Sequence, residues 1–337
     1  MAQKVERGYC PSTRARWPAD RDARPFTRRT AMRLGFIGAG RIGRPMVRRL
    51  AEAGHEVRAL GRSDEARAAL AEDGAHAVAG AAETADGADA VLVCVYSDDQ
   101  VRDVCLDGPL LSRMRDGSVL VLHTTGSPHT AEAIAARAAP HGVHVVDAPL
   151  SGGPHDVAAG RVTLFVGGAD DAVQGIRPVL ESYGDPVLHV GPAGAGQRVK
   201  LVNNALFAAQ IGLLADSVRL GRQLGVDEAV LLGALTHGSA TSRALAGVVA
   251  RGSVSAFATA AGEFLGKDVQ VIRQVAADSG GDLGALEGGL GALAGAPAPV
   301  LPREPGSGSG SAQTIARPAN AVRAAGYETR GHRNGTG

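Results

Sequence analysis

Aromatic residues and cysteines are scarce in this chain. Among its 337 residues there are six Phe, four Tyr, one Trp and three Cys. A small and odd number of cysteines argues against a disulfide framework and is typical of a reducing compartment such as the cytoplasm. An excess of charge of one sign is also missing, since 35 Lys and Arg balance 34 Asp and Glu. A net charge of +1 gives no bulk attraction to nucleic acid or to an acidic membrane.

The near-neutral charge is an average over unlike parts. Residues 1–31 carry eight Lys and Arg and three acids, and residues 302–337 carry five Arg and two Glu, so residues 32–301 have a net charge of −7. The first thirty residues contain no apolar run of the kind that a secretory signal needs. We therefore predict a disordered basic extension over residues 1–31. Residues 280–310 are rich in Gly, Ala, Pro and Ser, which predicts a linker, and a disordered low-complexity tail is placed over residues 291–337.

Short apolar runs alternate with helix-like segments from residue 32 onward. Runs at 33–37, 56–60, 90–95, 118–122 and 143–146 predict strands, and those at 163–166 and 186–190 predict further strands of the same sheet. The continuously apolar run at 90–95 is typical of a parallel strand that is covered on both faces. The alternation predicts an α/β domain over residues 32–195, built on a doubly wound parallel sheet.

Strand patterns stop after residue 196, and residues 196–290 are predicted to form an all-α domain. The longest helical pattern, 197–224, is apolar almost all round and is interrupted by Asn203, Asn204, Gln210 and Asp216. A membrane span needs about 18 uninterrupted apolar residues, so this helix is predicted to be buried in a core or against a partner subunit. The sequence therefore favours a homodimer or higher homo-oligomer without membrane contact.

A glycine pattern follows the first predicted strand. Gly38 permits a tight turn, Gly40 lets the backbone approach a pyrophosphate, and Gly43 lets the next helix pack closely on the strand. Arg41 and Ile42 lie in the same turn, and the start of the helix offers N–H groups and a positive dipole to phosphate. The position between a strand and a helix favours a dinucleotide site of the Rossmann type over a chance Gly-rich turn.

The residues after the second predicted strand bear on the choice of cofactor. An NAD site places an acid there for the ribose 2′-hydroxyl, whereas this chain has Arg62 and Ser63. Arg62 can pair with a 2′-phosphate in bidentate fashion, and Ser63 can add a hydroxyl donor. We therefore predict NADP. NAD stays open if Arg62 is only a solvated loop residue and Asp64 or Glu65 reaches back to the ribose.

Two further segments predict a substrate site. Ser151, Gly152 and Gly153 end a predicted strand in a loop whose uncovered N–H groups can hold a carboxylate. Lys200 and Asn204 are one helical turn apart and therefore lie on one face of the long helix. A charge in so apolar a helix is costly without a purpose, and a buried lysine titrates toward neutral pH, as a proton donor requires. The alternative for Lys200 alone is a solvated surface residue.

Five ordered blocks of the chain resemble the β-hydroxyacid dehydrogenases, the family that contains 3-hydroxyisobutyrate and tartronate semialdehyde reductases. The blocks are 35–43, 124–128, 147–153, 194–204 and 265–269, and together they extend over about residues 32–280. The resemblance implies a Rossmann domain followed by an all-α domain. It also implies hydride transfer between a nicotinamide cofactor and a small carboxylate substrate.

The resemblance implies a role for each matching residue. Lys200 would be the catalytic acid/base, and Asn204 would bond the substrate oxygen or hold the lysine. The Ser-Gly-Gly loop would bind the substrate carboxylate. Thr125 would contact the nicotinamide half of the cofactor, Lys267 would close over the cofactor, and Asp268 would orient Lys267 or cap its helix.

The chain departs from this family mildly at Asp216, where Glu is expected, and more clearly in two further places. After the Ser-Gly-Gly loop the family has small residues, whereas this chain has Pro154, His155, Asp156 and Val157. After the Lys-Asp helix the family continues with a packed helix, whereas residues 281–302 lack a sustained apolar face. A truncated or frame-shifted end is the hypothesis that this second departure suggests.

The sequence thus predicts an NADP-preferring oxidoreductase that interconverts a small β-hydroxyacid and its semialdehyde. Two alternatives stay open. One is an imine reductase of the same fold, although those enzymes usually replace the lysine found here at position 200. The other is a non-catalytic cofactor-binding protein with a damaged C-terminal domain. No metal site is predicted, because His141 and His144 have no Cys or paired carboxylate close in sequence.

Overall fold

The computed structural model describes residues 31–294, and the extension and tail predicted at the two ends lie largely outside them. The strands in this part of the chain are β1 (Arg33–Ile37), β2 (Glu56–Leu60), β3 (His76–Val78), β4 (Ala90–Val93), β5 (Val119–Leu122), β6 (His144–Asp147), β7 (Leu150–Ser151), β8 (Val162–Gly167) and β9 (Gly184–Gly191). The helices between them are α1 (Gly43–Glu52), α2 (Asp64–Glu72), α3 (Asp98–Arg102), α4 (Leu110–Arg113), α5 (Pro128–Ala138), α6 (Pro154–Ala158) and α7 (Asp170–Leu180). Helices alone follow: α8 (Ala195–Gln223), α9 (Glu228–Leu235), α10 (Arg243–Arg251), α11 (Val254–Asp278) and α12 (Ala285–Ala294).

The strands form one sheet in the order β3-β2-β1-β4-β5-β6-β8-β7, with β9 also paired to β8. Pairing is parallel from β3 to β6, while β8 runs antiparallel to β6 and β7. The chain leaves β1 toward β2 on one side and returns to β4 on the other. Ligands of open α/β sheets bind at such a reversal, outside the carboxyl ends of the strands. The fold therefore places a candidate crevice beyond the ends of β1 and β4.

The central strands are apolar at every position because helices cover both faces of the sheet. All four residues of β4 and all four of β5 are buried. Val91 and Leu120 belong to the core on one face, and Leu92 and Val121 to the core on the other, as the two-residue period of a strand requires. The seven predicted strands are confirmed, with ends that differ by one or two residues. The short strands β3 and β7 were not predicted, because two or three residues carry almost no periodic signal.

Helix α8 is the longest element of the helical region and packs against α10, α11 and α12. By length and composition alone it could cross a membrane, but a buried core helix passes the same test, and 44% of its most apolar window is buried within the protein. The face of α8 turned to solvent is also apolar. We call its exposed members the α8 stripe: Val199, Val202, Leu206, Leu213, Leu220 and Leu224. Their spacing of three, four or seven residues places them in one row along the helix.

The linker predicted from residue 280 is wrong for residues 285–294, which form α12. Leu290 is only 2% exposed, and a side chain at Gly289 would place its Cβ 2.8 Å from the Cα of Ala209. Glycine lowers intrinsic helix propensity, which is why this segment was predicted to be a linker. The same lack of side chains lets α12 approach α8 at backbone distance, and this packing outweighs the propensity.

Candidate active site

The glycine turn after β1 has the geometry of a phosphate-binding loop. Gly38 has a φ of +100°, and a Cβ there would stand 2.3 Å from a backbone carbonyl oxygen just after β4. A Cβ at Gly43 would stand 2.2 Å from the carbonyl oxygen of Gly38, whereas a Cβ at Gly40 would meet nothing within 4 Å. Close packing therefore requires glycine at positions 38 and 43, whereas Gly40 faces open space. Arg41 is exposed, and Ile42 precedes α1 without a side-chain cap. The Arg44 N–H already donates to the Gly40 carbonyl oxygen at 2.9 Å, and Pro45 has no N–H, so a phosphate at this turn would be held mainly by the N–H groups before Arg44 and by the helix dipole.

The end of β2 carries an exposed basic residue. Arg62 is exposed, and Ser63 accepts a hydrogen bond from the Ala66 N–H at 3.1 Å, which caps α2. The backbone N–H of Glu65 and a hydrogen bond from the Ser63 hydroxyl lower the pKa of the Glu65 carboxyl. Asp64 forms an ion pair with Arg67. Asp64, one of the two acids that were the alternative ribose ligands, therefore already has a partner, while Glu65 is exposed in the first turn of α2 and Arg62 follows the end of β2.

Lys200 is buried among helices at the junction of the two regions. Its exposure is only 8%, and burial lowers the pKa of its ammonium group to about 8. The negative charge of Asp268 opposes this shift, and the positive charge of Lys267 adds to it. Asn204, one turn further along α8, donates from Nδ2 to Asp268 Oδ2 at 2.6 Å. The arrangement fixes the Asn204 amide and places a lysine that titrates near neutral pH beside it.

Lys267 and Thr125, which the sequence analysis assigned to the same cofactor, lie in direct contact. Lys267 Nζ donates to the carbonyl oxygen of Thr125 at 3.0 Å and lies 3.1 Å from Asp268 Oδ1. The ammonium is also 5.7 Å from the ring centroid of Tyr96, in the loop after β4. Helix α11 thus reaches the loops that follow β4 and β5.

The Ser-Gly-Gly loop follows β6 and includes β7. Ser151 is half-buried, and Gly152 has a φ of +139°, which favours glycine. The N–H of Gly153 donates to Asp156 Oδ2 at 2.8 Å. One of the N–H groups predicted to hold a substrate carboxylate is therefore already bonded to an acid of this chain. The hydroxyl of Ser151 and the N–H of Gly152 are the remaining donors of the motif.

Asp147 and Gln197, to which the sequence analysis gave no role, connect strand β6 and the loop after β5 to the start of α8. Asp147, at the end of β6, is fully buried and accepts hydrogen bonds from the N–H groups of Gly194 at 2.6 Å and Gln197 at 2.8 Å. Burial raises the pKa of its carboxyl to about 6, and the N–H donors and Arg198 limit the rise. Gln197 in turn binds the loop after β5 through its side chain. Both residues lie inside the matching blocks, but their partners are about 50 or more positions away in sequence.

A buried histidine lies just before the Thr125 loop. His123 contacts the Ala148 carbonyl oxygen through Nδ1 at 2.7 Å and the Tyr183 hydroxyl through Nε2 at 2.8 Å. Burial lowers the pKa of its imidazole to about 4, so the ring is neutral. Because the carbonyl can only accept, Nδ1 carries the proton and Nε2 accepts from Tyr183. This network joins the residues that follow β5 and β6 to Tyr183, which precedes β9.

Known proteins match this chain over both its sheet region and its helical region. Residues 33–191 match the NAD binding domain of 6-phosphogluconate dehydrogenase, and residues 194–291 match the family described as NAD-binding of NADP-dependent 3-hydroxyisobutyrate dehydrogenase. A 3-hydroxyisobutyrate dehydrogenase and an NAD-dependent L-serine dehydrogenase, both from Pseudomonas aeruginosa, are each 34% identical over 63% of this chain and 72% of their own. The solved 3-hydroxyisobutyrate dehydrogenase of Mycobacterium tuberculosis with L-serine is 27% identical, with a TM-score of 0.71 over 79% of this chain and 94% of that one.

These matches extend over both the sheet region and the helical region, in the order of the motifs. They confirm the resemblance drawn from the five sequence blocks and the predicted succession of a Rossmann domain and a helical domain. The chain therefore belongs to the β-hydroxyacid dehydrogenase family of NAD(P)-dependent oxidoreductases.

Proposed function

We propose that this protein interconverts a small β-hydroxyacid and its semialdehyde, with NADP as the preferred cofactor and Lys200 as the acid/base. The observation that carries the proposal is the buried Lys200, whose pKa of about 8 lies near the operating pH of such an enzyme. Relatives that act on 3-hydroxyisobutyrate and L-serine support a substrate of this size.

The cofactor would occupy the crevice between the glycine turn and the loops after β4 and β5. The open space at Gly40 and the positive dipole at the start of α1 fit a pyrophosphate, and Thr125 and Lys267 would hold the nicotinamide half. Bound NADPH supplies the hydride.

The residues of this chain would bind the substrate and move one proton. The Ser151 hydroxyl and the Gly152 N–H would hold the carboxylate. During reduction the Lys200 ammonium donates a proton to the carbonyl oxygen, and during oxidation the neutral amine removes it from the hydroxyl. The Asn204 amide has two N–H donors, of which one binds Asp268 and the other would bind the same substrate oxygen.

The direct experiment is turnover by the full chain with NADPH or NADH and a panel of three- and four-carbon semialdehydes. We expect NADPH-dependent reduction of at least one semialdehyde and slower reduction of the corresponding aldehyde without a carboxylate. Cyclic imines in the same panel test the imine reductase alternative. Cofactor binding without turnover of any compound would instead support the non-catalytic alternative.

The cofactor preference is tested by substituting the exposed Arg62. Loss of a charged hydrogen bond costs about 1.5–3 kcal/mol, so Arg62→Ala should weaken NADPH binding about tenfold or more and change NADH binding little. Arg137→Ala, an exposed arginine on α5, is the matched control and should change neither affinity. Fluorescence titration measures both dissociation constants. Equal losses for NADH and NADPH would contradict a 2′-phosphate contact.

We also propose that a second copy of the chain covers the α8 stripe. Val202, Leu213 and Leu224 are 67%, 56% and 71% exposed, an unusual amount of apolar surface for one helix face. Leu213→Glu would place a charge in that contact and should convert a dimer into monomers in light scattering. Gln223→Glu adds the same charge outside the stripe and should leave the mass unchanged. A monomeric wild type would refute the proposal.

A further inference from the structure

The loop after β5 is fastened to the helical region at three consecutive residues. The Gln197 amide donates from Nε2 to the Thr124 carbonyl oxygen at 2.8 Å and accepts the Gly126 N–H at Oε1 at 3.0 Å. Lys267 binds the Thr125 carbonyl oxygen between them. Two of the three bonds therefore come from one side chain.

Gln197 is itself buried and hydrogen-bonded through its backbone. Its exposure is 3%, and its own N–H donates to the buried carboxylate of Asp147. It lies in the first turn of α8, three residues before Lys200 on the same helix face. The position of the loop after β5 and the position of Lys200 thus depend on the same turn of α8.

We infer that Gln197 is a positioning residue that sets the loop carrying Thr125 against the nicotinamide half of the cofactor site. The inference rests on the proposed function only in taking Thr125 as the nicotinamide contact. An amide suits this task because one end donates and the other accepts. Carboxylates only accept, Lys and Arg only donate, and a buried group without its partner costs the full desolvation penalty.

The test separates the two halves of the cofactor. Gln197→Met keeps the side-chain length but loses both hydrogen bonds. We expect it to weaken NADPH binding about tenfold while the affinity for 2′,5′-ADP, which lacks the nicotinamide half, stays within about twofold. Gln223→Glu at the exposed end of α8 is the control. Circular dichroism and thermal melting show whether each variant is folded.

A second variant keeps the inference testable if Gln197→Met fails to fold. In Gln197→Glu the introduced carboxyl, when protonated, can donate to Thr124 and accept from Gly126 as the amide does. Burial and the nearby Asp147 carboxylate both favour the protonated form, whereas Lys267, Arg198 and, below its pKa of about 8, Lys200 favour the ionised one. NADPH affinity should therefore be close to wild type at pH 6 and several-fold weaker at pH 9, relative to wild type at each pH.

The results of these binding measurements do not depend on the turnover assay, because the affinities for NADPH and 2′,5′-ADP are both measured without substrate. A folded Gln197→Met variant that binds NADPH within twofold of wild type overturns the inference. Equal losses for NADPH and 2′,5′-ADP also overturn it, because they would show general destabilisation of the domain. So does a Gln197→Glu variant with the same relative affinity at both pH values. Absence of semialdehyde turnover in the wild type would refute the proposed function alone.

Discussion

Lys200→Ala is expected to lower kcat for semialdehyde reduction by about 10²–10⁴-fold, the range lost with a positioned acid/base group. Hydride arrival at the carbonyl carbon leaves a developing alkoxide, and the Lys200 ammonium is the group that the proposed mechanism uses to protonate it. The dissociation constant for NADPH should remain nearly unchanged, because the contacts assigned to the cofactor lie in the glycine turn, at Arg62 and at the Thr125 loop.

Arg219→Ala is the matched control for this prediction. It removes an exposed cation from the same helix, where Arg219 pairs with Asp216 three residues earlier, and it should leave kcat within about twofold. Circular dichroism shows whether α8 is intact in both variants. Wild-type turnover in a folded Lys200→Ala variant would remove Lys200 from the mechanism and would reopen the imine reductase and non-catalytic alternatives.

The parts of the structure that follow from local pattern could be predicted from the sequence. Strands β4 and β5 were evident because each residue is apolar, and the glycine turn because Gly38 and Gly43 are required by close packing. Lys200 was evident because a charge in an apolar helix is unusual. Helix α12 could not be predicted, because its stability comes from contact with α8 and not from its own composition.

The hydrogen-bond partners in the site could not be predicted in the same way. The Gln197 side chain bonds residues 71 and 73 positions earlier, and Lys267 bonds a residue 142 positions earlier. No periodicity relates such positions, so only the folded chain shows that one glutamine holds the loop after β5. Asp156 is a similar case: the sequence marks it as a departure from the family, and the structure shows that it takes the Gly153 N–H.

This use of the Gly153 N–H has a consequence for substrate binding. Asp156 places a negative charge beside the loop that is proposed to hold a carboxylate, so it both removes a donor and adds repulsion. The proposed substrate carboxylate therefore depends more heavily on Ser151 and Gly152 in this chain than the motif alone suggests.

The pH dependence of turnover follows from the Lys200 pKa of about 8. Reduction requires the ammonium, so kcat/KM for the semialdehyde should be constant below that pH and fall about tenfold per pH unit above it. Oxidation requires the neutral amine, so kcat/KM for the hydroxyacid should rise with pH and level off above about 8. The two profiles, measured on the same enzyme, should bend at the same pH.

Asp268→Asn tests the cause of this pKa. The Asp268 carboxylate raises the pKa of Lys200 against the effect of burial, so its removal should move the bend of both profiles to lower pH. The introduced amide oxygen can still accept the Asn204 bond, which preserves local geometry. Asp216→Asn, on an exposed part of α8, should leave the bend in place. A bend that stays near pH 8 in Asp268→Asn, or moves upward, would show that the titrating group is not Lys200 beside Asp268.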